Sequence, residues 1–377
     1  MNKLKVFHIV SNPNIGGIEG MLSKLVPIVD ERGHDWQVVN LRSESAAYKL
    51  WDANGVKYHR LATPGKMLVT SVWGLYKLLK REKPDVVEIY GLRANFIARI
   101  AAKLAGVPVI VTGVLNTDDW RKWYHVWLDR LTSGFVAGWV PNSRACAESL
   151  IRREHFPQEK IYTMYDGIDI EYWCPDECDE GRRQLRESLG LKPEHILFTT
   201  VGNLRHQKGY PYLIEVVKEI AAVNPEARFL FVGKGVMEEE LKGRCRELGI
   251  DEYVIFAGYR DDIKAVYAAS DVALLPSLYE GLPISLIEAM AMKLPVVSTK
   301  VSGIPELVVD GETGLLINPA DSRQIVEAVR EILRSAELRK AMGEAGRKRV
   351  VEKFSLPRMR DELIGFYESK LKQVRAK

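Results

Sequence analysis

Short apolar runs rich in Val and Ile alternate with longer amphipathic stretches along the whole 377-residue chain. In the first half the runs are Val6–Val10, Gln37–Leu41, Val56–Arg60, Val86–Tyr90, Val109–Thr112, Trp139–Asn142 and Ile161–Tyr165. In the second half they are Leu197–Gly202, Phe229–Gly233, Val254–Gly258, Val272–Pro276, Val296–Thr299 and Leu315–Asn318. A run that is apolar at nearly every position, rather than at every second one, belongs to a strand covered on both faces. Such strands, joined by helical patterns like Ala94–Leu104 and Tyr210–Val223, make parallel sheets with helices on either side. The chain therefore reads as α/β. It is longer than one compact core usually takes, and the runs fall into two series, so two Rossmann-like domains are expected.

The boundary is expected within Trp173–Pro193. This stretch carries Cys174-Pro175-Asp176-Glu177, a charged run and Leu191-Lys192-Pro193. Proline and charge without a strand pattern mark a connector with some helix inside. The expected domains are residues 1–175, joined by a C-terminal helix over 357–377, and residues 176–356. That last helix sets Leu363, Phe366, Tyr367 and Leu371 on one face, and its basic end reads as solvated.

Composition removes several classes of function. With 46% hydrophobic and 28% charged residues, the body of the chain is globular rather than disordered. The 54 basic and 50 acidic residues give no concentrated basic footprint, so nucleic acid is not an expected partner. The positive excess lies before Pro175, with 23 basic and 18 acidic residues; 31 and 32 remain after it. Of the cysteines, only Cys174 and Cys178 are close together, and no second pair or His cluster completes a zinc site. Buried or incidental thiols in a reducing compartment are expected. Val6–Val10 is too short for a signal-peptide core. No run approaches the roughly 20 apolar residues that span a bilayer, so a cytoplasmic location is expected.

The sharpest chemical signal is Tyr279-Glu280-Gly281-Leu282-Pro283-Ile284 after the Val272–Pro276 strand, with a helix running on through Ile287, Glu288 and Met290. A loop at the carboxyl end of a parallel strand is where open α/β sheets bind ligands. Pro283 suits a first helical turn, and the free N–H groups of that turn attract phosphate or sugar oxygens. Glu280 can accept hydrogen bonds from sugar hydroxyls and Glu288 can grip a ribose diol. The Leu197–Gly202 strand runs into Gly202-Asn203-Leu204-Arg205-His206-Gln207-Lys208-Gly209. Arg205 and Lys208 there can neutralise a diphosphate, the first as a planar fork and the second as a mobile point charge.

Glu280 and Glu288, seven residues apart, resemble the E-x7-E motif of GT-B fold retaining glycosyltransferases, above all glycosyltransferase family 4. So do Ser270-Asp271-Val272-Ala273-Leu274-Leu275-Pro276-Ser277, Gly303-Ile304-Pro305-Glu306 and Asp310-Gly311-Glu312-Thr313-Gly314. The Asn203–Gly209 loop is similar to that family's basic loop, and Gly16-Gly17-Ile18-Glu19 to its glycine-rich loop. The resemblance implies a GT-B fold: two Rossmann-like domains whose parallel sheets face across a cleft, with a C-terminal helix returning to the first domain. It implies that Arg205 and Lys208 bind the diphosphate, Glu288 the ribose and Glu280 the donor sugar. The backbone of Gly281, Leu282, Pro283 and Ile284 also meets the donor, and Tyr259 and Arg260 hold the nucleobase. Gly16 and Gly17 let the first domain's backbone approach the phosphates, where a side chain would block the approach.

Three positions depart from the family pattern. Asn203 stands where many relatives carry Arg. The run Gly113-Val114-Leu115-Asn116 lacks the His often found near position 114. The strand Val86–Tyr90 ends in Glu88-Ile89-Tyr90 rather than a His-containing pair. No two Asp residues are separated by one position, so the D-x-D manganese motif of the other major glycosyltransferase fold is missing and neither a metal nor another cofactor is expected.

The implied reaction moves a hexose-type sugar from a nucleotide-diphosphate sugar to an acceptor hydroxyl with retention of configuration, in cell-surface glycan or glycolipid synthesis. The alternative, raised by Val114, is a nucleotide-sugar-binding protein without turnover. A nicotinamide oxidoreductase reads poorly because no G-x-G-x-x-G follows the first strand; a non-hydrolysing sugar epimerase of similar fold is a minor reading. The acceptor, a glycan or a lipid-linked one, is expected on the first domain. There Thr117-Asp118-Asp119-Trp120-Arg121-Lys122-Trp123-Tyr124-His125-Val126-Trp127 is dense in aromatics and cations. Its favoured packing buries Trp123 and Trp127 against the core; the second reading is peripheral contact with an anionic membrane surface.

Overall fold

The computed structural model describes residues 3–30, 32–61, 68–117, 121–176 and 178–376. One parallel sheet contains β1 (Lys5–Val10), β2 (Asp35–Asn40), β3 (Tyr58–Arg60), β4 (Val86–Tyr90), β5 (Val109–Val114) and β6 (Gly138–Pro141), in the order β3-β2-β1-β4-β5-β6. A second contains β7 (Ile196–Val201), β8 (Ala227–Val232), β9 (Val254–Gly258), β10 (Val272–Leu275), β11 (Val296–Thr299) and β12 (Gly314–Ile317), in the order β12-β11-β10-β7-β8-β9. Every residue of β4, β10 and β11 is buried, as continuous apolar runs require when helices cover both faces. Each sheet starts in the middle, builds to one edge and crosses to the other. The order reverses between β1 and β4 and between β7 and β10. Loops leaving those neighbouring strands diverge, which opens a crevice at their carboxyl ends.

Contacts divide the chain into Met1–Gly167 with Leu356–Lys377, and Ile168–Ser355. The junction therefore falls ahead of Pro175. Residues 168–173 belong to the second unit because their backbone is held there. Ile168 N donates to Phe354 O (2.9 Å), and Arg347 donates to Ile170 O (2.8 Å), to Ala291 O (3.0 Å) and to Trp173 O. An arginine nearly two hundred residues away gives no local signal in that segment, whereas proline and charge mark only where the chain becomes irregular.

The helix Leu356–Arg375 returns to the first unit and buries Leu363, Phe366, Tyr367 and Leu371. Its Tyr367 hydroxyl donates to Glu88 Oε2 within β4. The run Ile161–Tyr165 is not a strand. It follows the edge of β6 with a single bridge at Trp139 and Ile161, and with hydrogen bonds from Tyr162 N to Trp139 O and Met164 N to Pro141 O (both 2.9 Å).

The helix Trp123–Ser133 also differs from the favoured packing. Trp123 is 80% and Trp127 56% exposed, and the buried side chains of the helix are Asp129 and Thr132. The cause is Arg99, fully buried on the helix Leu92–Ala105. Its Nη1 donates to Asp129 Oδ1 (2.5 Å) and Thr132 Oγ1 (3.2 Å), and its Nη2 to Thr112 Oγ1 (2.9 Å). Leaving a buried guanidinium unpaired costs about 3–5 kcal/mol, more than the roughly 1.5–3 kcal/mol gained by burying one large apolar side chain. The charge pairing wins the inner face. Asp118, Asp119 and Trp120 lie outside the described residues.

Candidate functional site

The site in the second unit begins where β7 ends. Three glycines let neighbouring loops touch backbone to backbone. A Cβ on Gly233 would lie 2.2 Å from Gly202 O, one on Gly235 2.2 Å from Leu204 O, and one on Gly209 2.0 Å from Pro276 O. Gly209 also has φ +74°, a region costly for residues with a Cβ. The loop after β7 is thereby wedged between those after β8 and β10. Leu204 points into the core while Asn203, Arg205 and His206 face outward. The Arg205 guanidinium has no hydrogen-bond or ion-pair partner among the described residues, so it is available to a ligand.

Lys208 turns the other way. Its Nζ donates to Glu280 Oε1 at 2.5 Å, and Ser277 Oγ donates to the same oxygen at 2.7 Å. The expected pair of free cations is thus one free cation, Arg205, and one lysine already matched to a carboxylate. The loop that carries Glu280 is fixed from three sides. Leu278 N donates to Gln207 O (2.8 Å), Thr299 Oγ1 to Ser277 O (2.6 Å) and Gly303 N to Gly281 O (3.0 Å). Glu280 N donates to Ser302 Oγ at 3.3 Å.

Pro283 is the cap of the helix Ile284–Ala291 rather than part of its first turn, and no side chain caps that end. The first N–H groups after Gly281, Leu282 and Pro283 therefore carry the partial positive charge of a helix start without a side-chain cap. Further along, Glu288 is half-buried and its carboxyl has no hydrogen-bond partner among the described residues. Burial pushes it from 4.5 up to about 8. The folded value exceeds the unfolded one, so this group adds stability below the unfolded value and loses that contribution as pH rises through about 8. Urea titrations should show the wild type losing stability relative to Glu288→Gln between about pH 5 and pH 8. A constant difference across that range would remove this reading of Glu288.

Tyr259 and Arg260 follow β9, two strands from β7, or about 10 Å along the sheet. Tyr259 is exposed, and Arg260 is held by Asp262 through Nε (2.9 Å) and Nη2 (2.5 Å). Arg260 is therefore less free than its sequence position suggests. Ser277 and Ser302, neither of them expected in the site, join Lys208 in holding Glu280 in place. Ser277 was visible in the motif after β10, while Ser302 arrives from the loop after β11 with no signal of its own.

In the first unit, Gly17 begins the helix Gly17–Asp30. Gly16 N donates to Glu19 Oε2 at 2.9 Å, and a Cβ on Gly16 would lie 3.1 Å from that oxygen. Here the glycine makes room for a buried carboxylate of its own helix. Val114 ends β5 half-buried. Glu88 does not sit at an exposed strand end. It is enclosed with His8 (Nδ1 to Oε2, 3.5 Å) and Tyr367, and burial raises its carboxyl to about 7 while holding His8 down to about 3. A charged residue inside the apolar run Val86–Tyr90 was the sequence sign of this cluster.

Two family models match the chain. Residues 16–167 match the glycosyl transferase 4-like domain and residues 181–349 match the glycosyl transferases group 1. An Escherichia coli protein, UDP-Gal:alpha-D-GlcNAc-diphosphoundecaprenol alpha-1,3-galactosyltransferase, is 27% identical over 97% of both chains. Among solved structures, Anabaena HepE in complex with UDP-glucose has a TM-score of 0.88 at 20% identity, covering 97% of this chain and 100% of its own. WaaG, a glycosyltransferase involved in lipopolysaccharide biosynthesis, has a TM-score of 0.72 at 18% identity over 95% and 98%. The fold of the two units is that of the GT-B glycosyltransferases.

Proposed function

Because the chain belongs to the glycosyltransferases built from a glycosyl transferase 4-like domain and a group 1 domain, we propose that it moves a hexose from a UDP-hexose to an acceptor hydroxyl with retention of configuration. The observation that carries this is the pairing of Lys208 with Glu280 at the carboxyl ends of β7 and β10, where the strand order reverses, with Arg205 on the same loop as Lys208 and Glu288 on the helix that follows Glu280. UDP is favoured as the carrier by the solved relative that holds UDP-glucose and by the Escherichia coli relative named for UDP-Gal.

In this reading the unpaired Arg205 grips the diphosphate. Lys208 shifts from Glu280 toward the phosphates as they arrive, and Glu280 is released to accept from the sugar hydroxyls. Glu288 takes the ribose diol. Tyr259 and Arg260 border the nucleobase and Asn203 the phosphates. The bond between the anomeric carbon and the diphosphate oxygen breaks while the acceptor oxygen bonds to that carbon from the same face. The acceptor proton passes to a phosphate oxygen of the leaving UDP. Charge on the leaving group is met by Arg205, Lys208 and the helix start at Ile284, which is electrostatic preorganisation, and the proposal calls for no metal. The acceptor is a lipid-linked glycan met at the anionic inner face of a membrane, in cell-surface glycan synthesis.

Product analysis by NMR tests this. An α-linked donor is expected to give an α-linked product and UDP, with a rate unchanged by EDTA. An inverted product contradicts retention. Donor binding without hydrolysis or transfer to any hydroxyl would turn the reading into one of binding alone.

A further inference from the structure

Among the described residues, five other than glycine have positive φ, and one of them adjoins the loop that carries Glu280. Lys83 and Lys293 lie just past the helices Leu68–Glu82 and Ile284–Ala291, the usual place for that conformation. Ser302 follows a strand instead, β11, and has φ +48°. Ile304 N donates to Val301 O at 3.1 Å, which closes a turn with Ser302 and Gly303 at its centre, and Gly303 has φ −80°. A positive φ followed by a negative one makes a type II′ turn, whose first central position is ordinarily glycine. Ser302 is therefore strained where a glycine would be relaxed.

Strain of this kind clusters at ligand sites. The Ser302 hydroxyl oxygen accepts from Glu280 N at 3.3 Å, beyond the usual range for such a bond. A hydroxyl can also donate, and the Ser302 proton has no acceptor among the described residues. The Glu280 carboxylate is half used in the complementary sense. Its Oε1 accepts from Lys208 (2.5 Å) and Ser277 (2.7 Å), while its Oε2 has no donor among the described residues. The two loops are tied by their backbones, since Gly303 N donates to Gly281 O at 3.0 Å. A free O–H thus stands on the residue that touches Glu280, and a free carboxylate oxygen stands on Glu280 itself. A sugar hydroxyl answers both at once, donating to the carboxylate and accepting from the serine. A carboxylate alone would take any N–H or O–H; the pair asks for a hydroxyl in one orientation.

We propose that Ser302 is a sugar-selectivity residue: its hydroxyl, together with Glu280 Oε2, reads one ring hydroxyl of the transferred hexose. This rests on Glu280 being the sugar-binding carboxylate of a UDP-hexose site. Titration calorimetry on the full chain, with UDP, UDP-glucose, UDP-galactose and the monodeoxy analogues of both sugars, tests it. Wild type is expected to bind a parent sugar at least about tenfold more tightly than the analogue lacking the hydroxyl that is read. Ser302→Ala is expected to cut that one ratio at least about threefold, the worth of one neutral hydrogen bond. Affinity for UDP and the ratios for the other analogues should not change. Ser302→Gly is expected to lose the same selectivity yet to melt about 2–4 °C above Ser302→Ala, because the strain of the turn is relieved. A support for the fold would follow the melting temperature across these two variants, whereas selectivity follows the hydroxyl. If Ser302→Ala weakens parent and deoxy sugars by the same factor, Ser302 only supports the Glu280 loop and the proposal is overturned. Full selectivity in Ser302→Gly overturns it too. In both cases wild type still binds UDP and the parent sugars, so the glycosyltransferase reading stands; a wild type that binds none of them removes both.

Discussion

Lys208→Ala is expected to lower turnover by about 10²–10³-fold, the scale of losing one preorganised charge from a developing anion. In the free protein Lys208 and Glu280 neutralise each other at 2.5 Å, with side-chain exposures of 17% and 8%. When the sugar–phosphate bond breaks, negative charge grows on the diphosphate and the lysine gains more from it than from Glu280. Its removal therefore acts on the transition state more than on the ground state, so kcat should fall further than KM rises. The same change leaves Glu280 with Ser277 as its side-chain partner, so the second unit should also lose stability. Glu280→Gln separates the two effects, because it breaks the ion pair while keeping Lys208. If Lys208→Ala loses as much stability as Glu280→Gln while kcat is unchanged, the lysine is structural and the assignment fails.

Gly209→Ala is expected to destabilise the second unit by about 3–5 kcal/mol, the range of the largest single-site effects. The positive φ of 74° accounts for about 1–2 kcal/mol of this. The rest comes from a Cβ placed 2.0 Å from Pro276 O. That oxygen belongs to the backbone leading into Ser277 and Glu280, so relief of the clash moves the Glu280 loop away from Lys208. Gly249 is a control: its φ is +64° and no atom lies within 4 Å of where its Cβ would sit. Gly249→Ala should cost only the conformational part. Denaturant unfolding followed separately for each unit measures both, because two units need not melt together. Equal losses in the two variants would show that the close approach at Pro276 is not what demands glycine.

The strands were legible because burial on both faces writes an unbroken apolar run that no surface element shares. Val86–Tyr90, Val254–Gly258 and Val296–Thr299 match their strands residue for residue. Ile161–Tyr165 has the same composition but reaches only the edge of β6, and edge pairing is decided by neighbours rather than by the run itself. The GT-B fold and the glycosyltransferase family were readable from short motifs because a tight loop, a helix start and a carboxylate must recur at fixed spacing. What stayed hidden depends on distant partners. The pairing of Lys208 with Glu280 joins positions 72 residues apart. The outward turn of Trp123 and Trp127 is dictated by Arg99, which looks in sequence like any helix arginine. The first unit's buried cluster of His8, Glu88 and Tyr367 draws on both ends of the chain.

The central claim is that the carboxyl ends of β7 and β10 form a site for a nucleotide-diphosphate sugar, with Arg205 as its free cation. Titration calorimetry of UDP and UDP-glucose into wild type and Arg205→Ala tests it most directly. The account predicts one saturable site per chain in wild type and an affinity at least about tenfold weaker in Arg205→Ala, the worth of one charge-assisted contact. Failure of both ligands to bind wild type, or equal affinity in the two proteins, would contradict it.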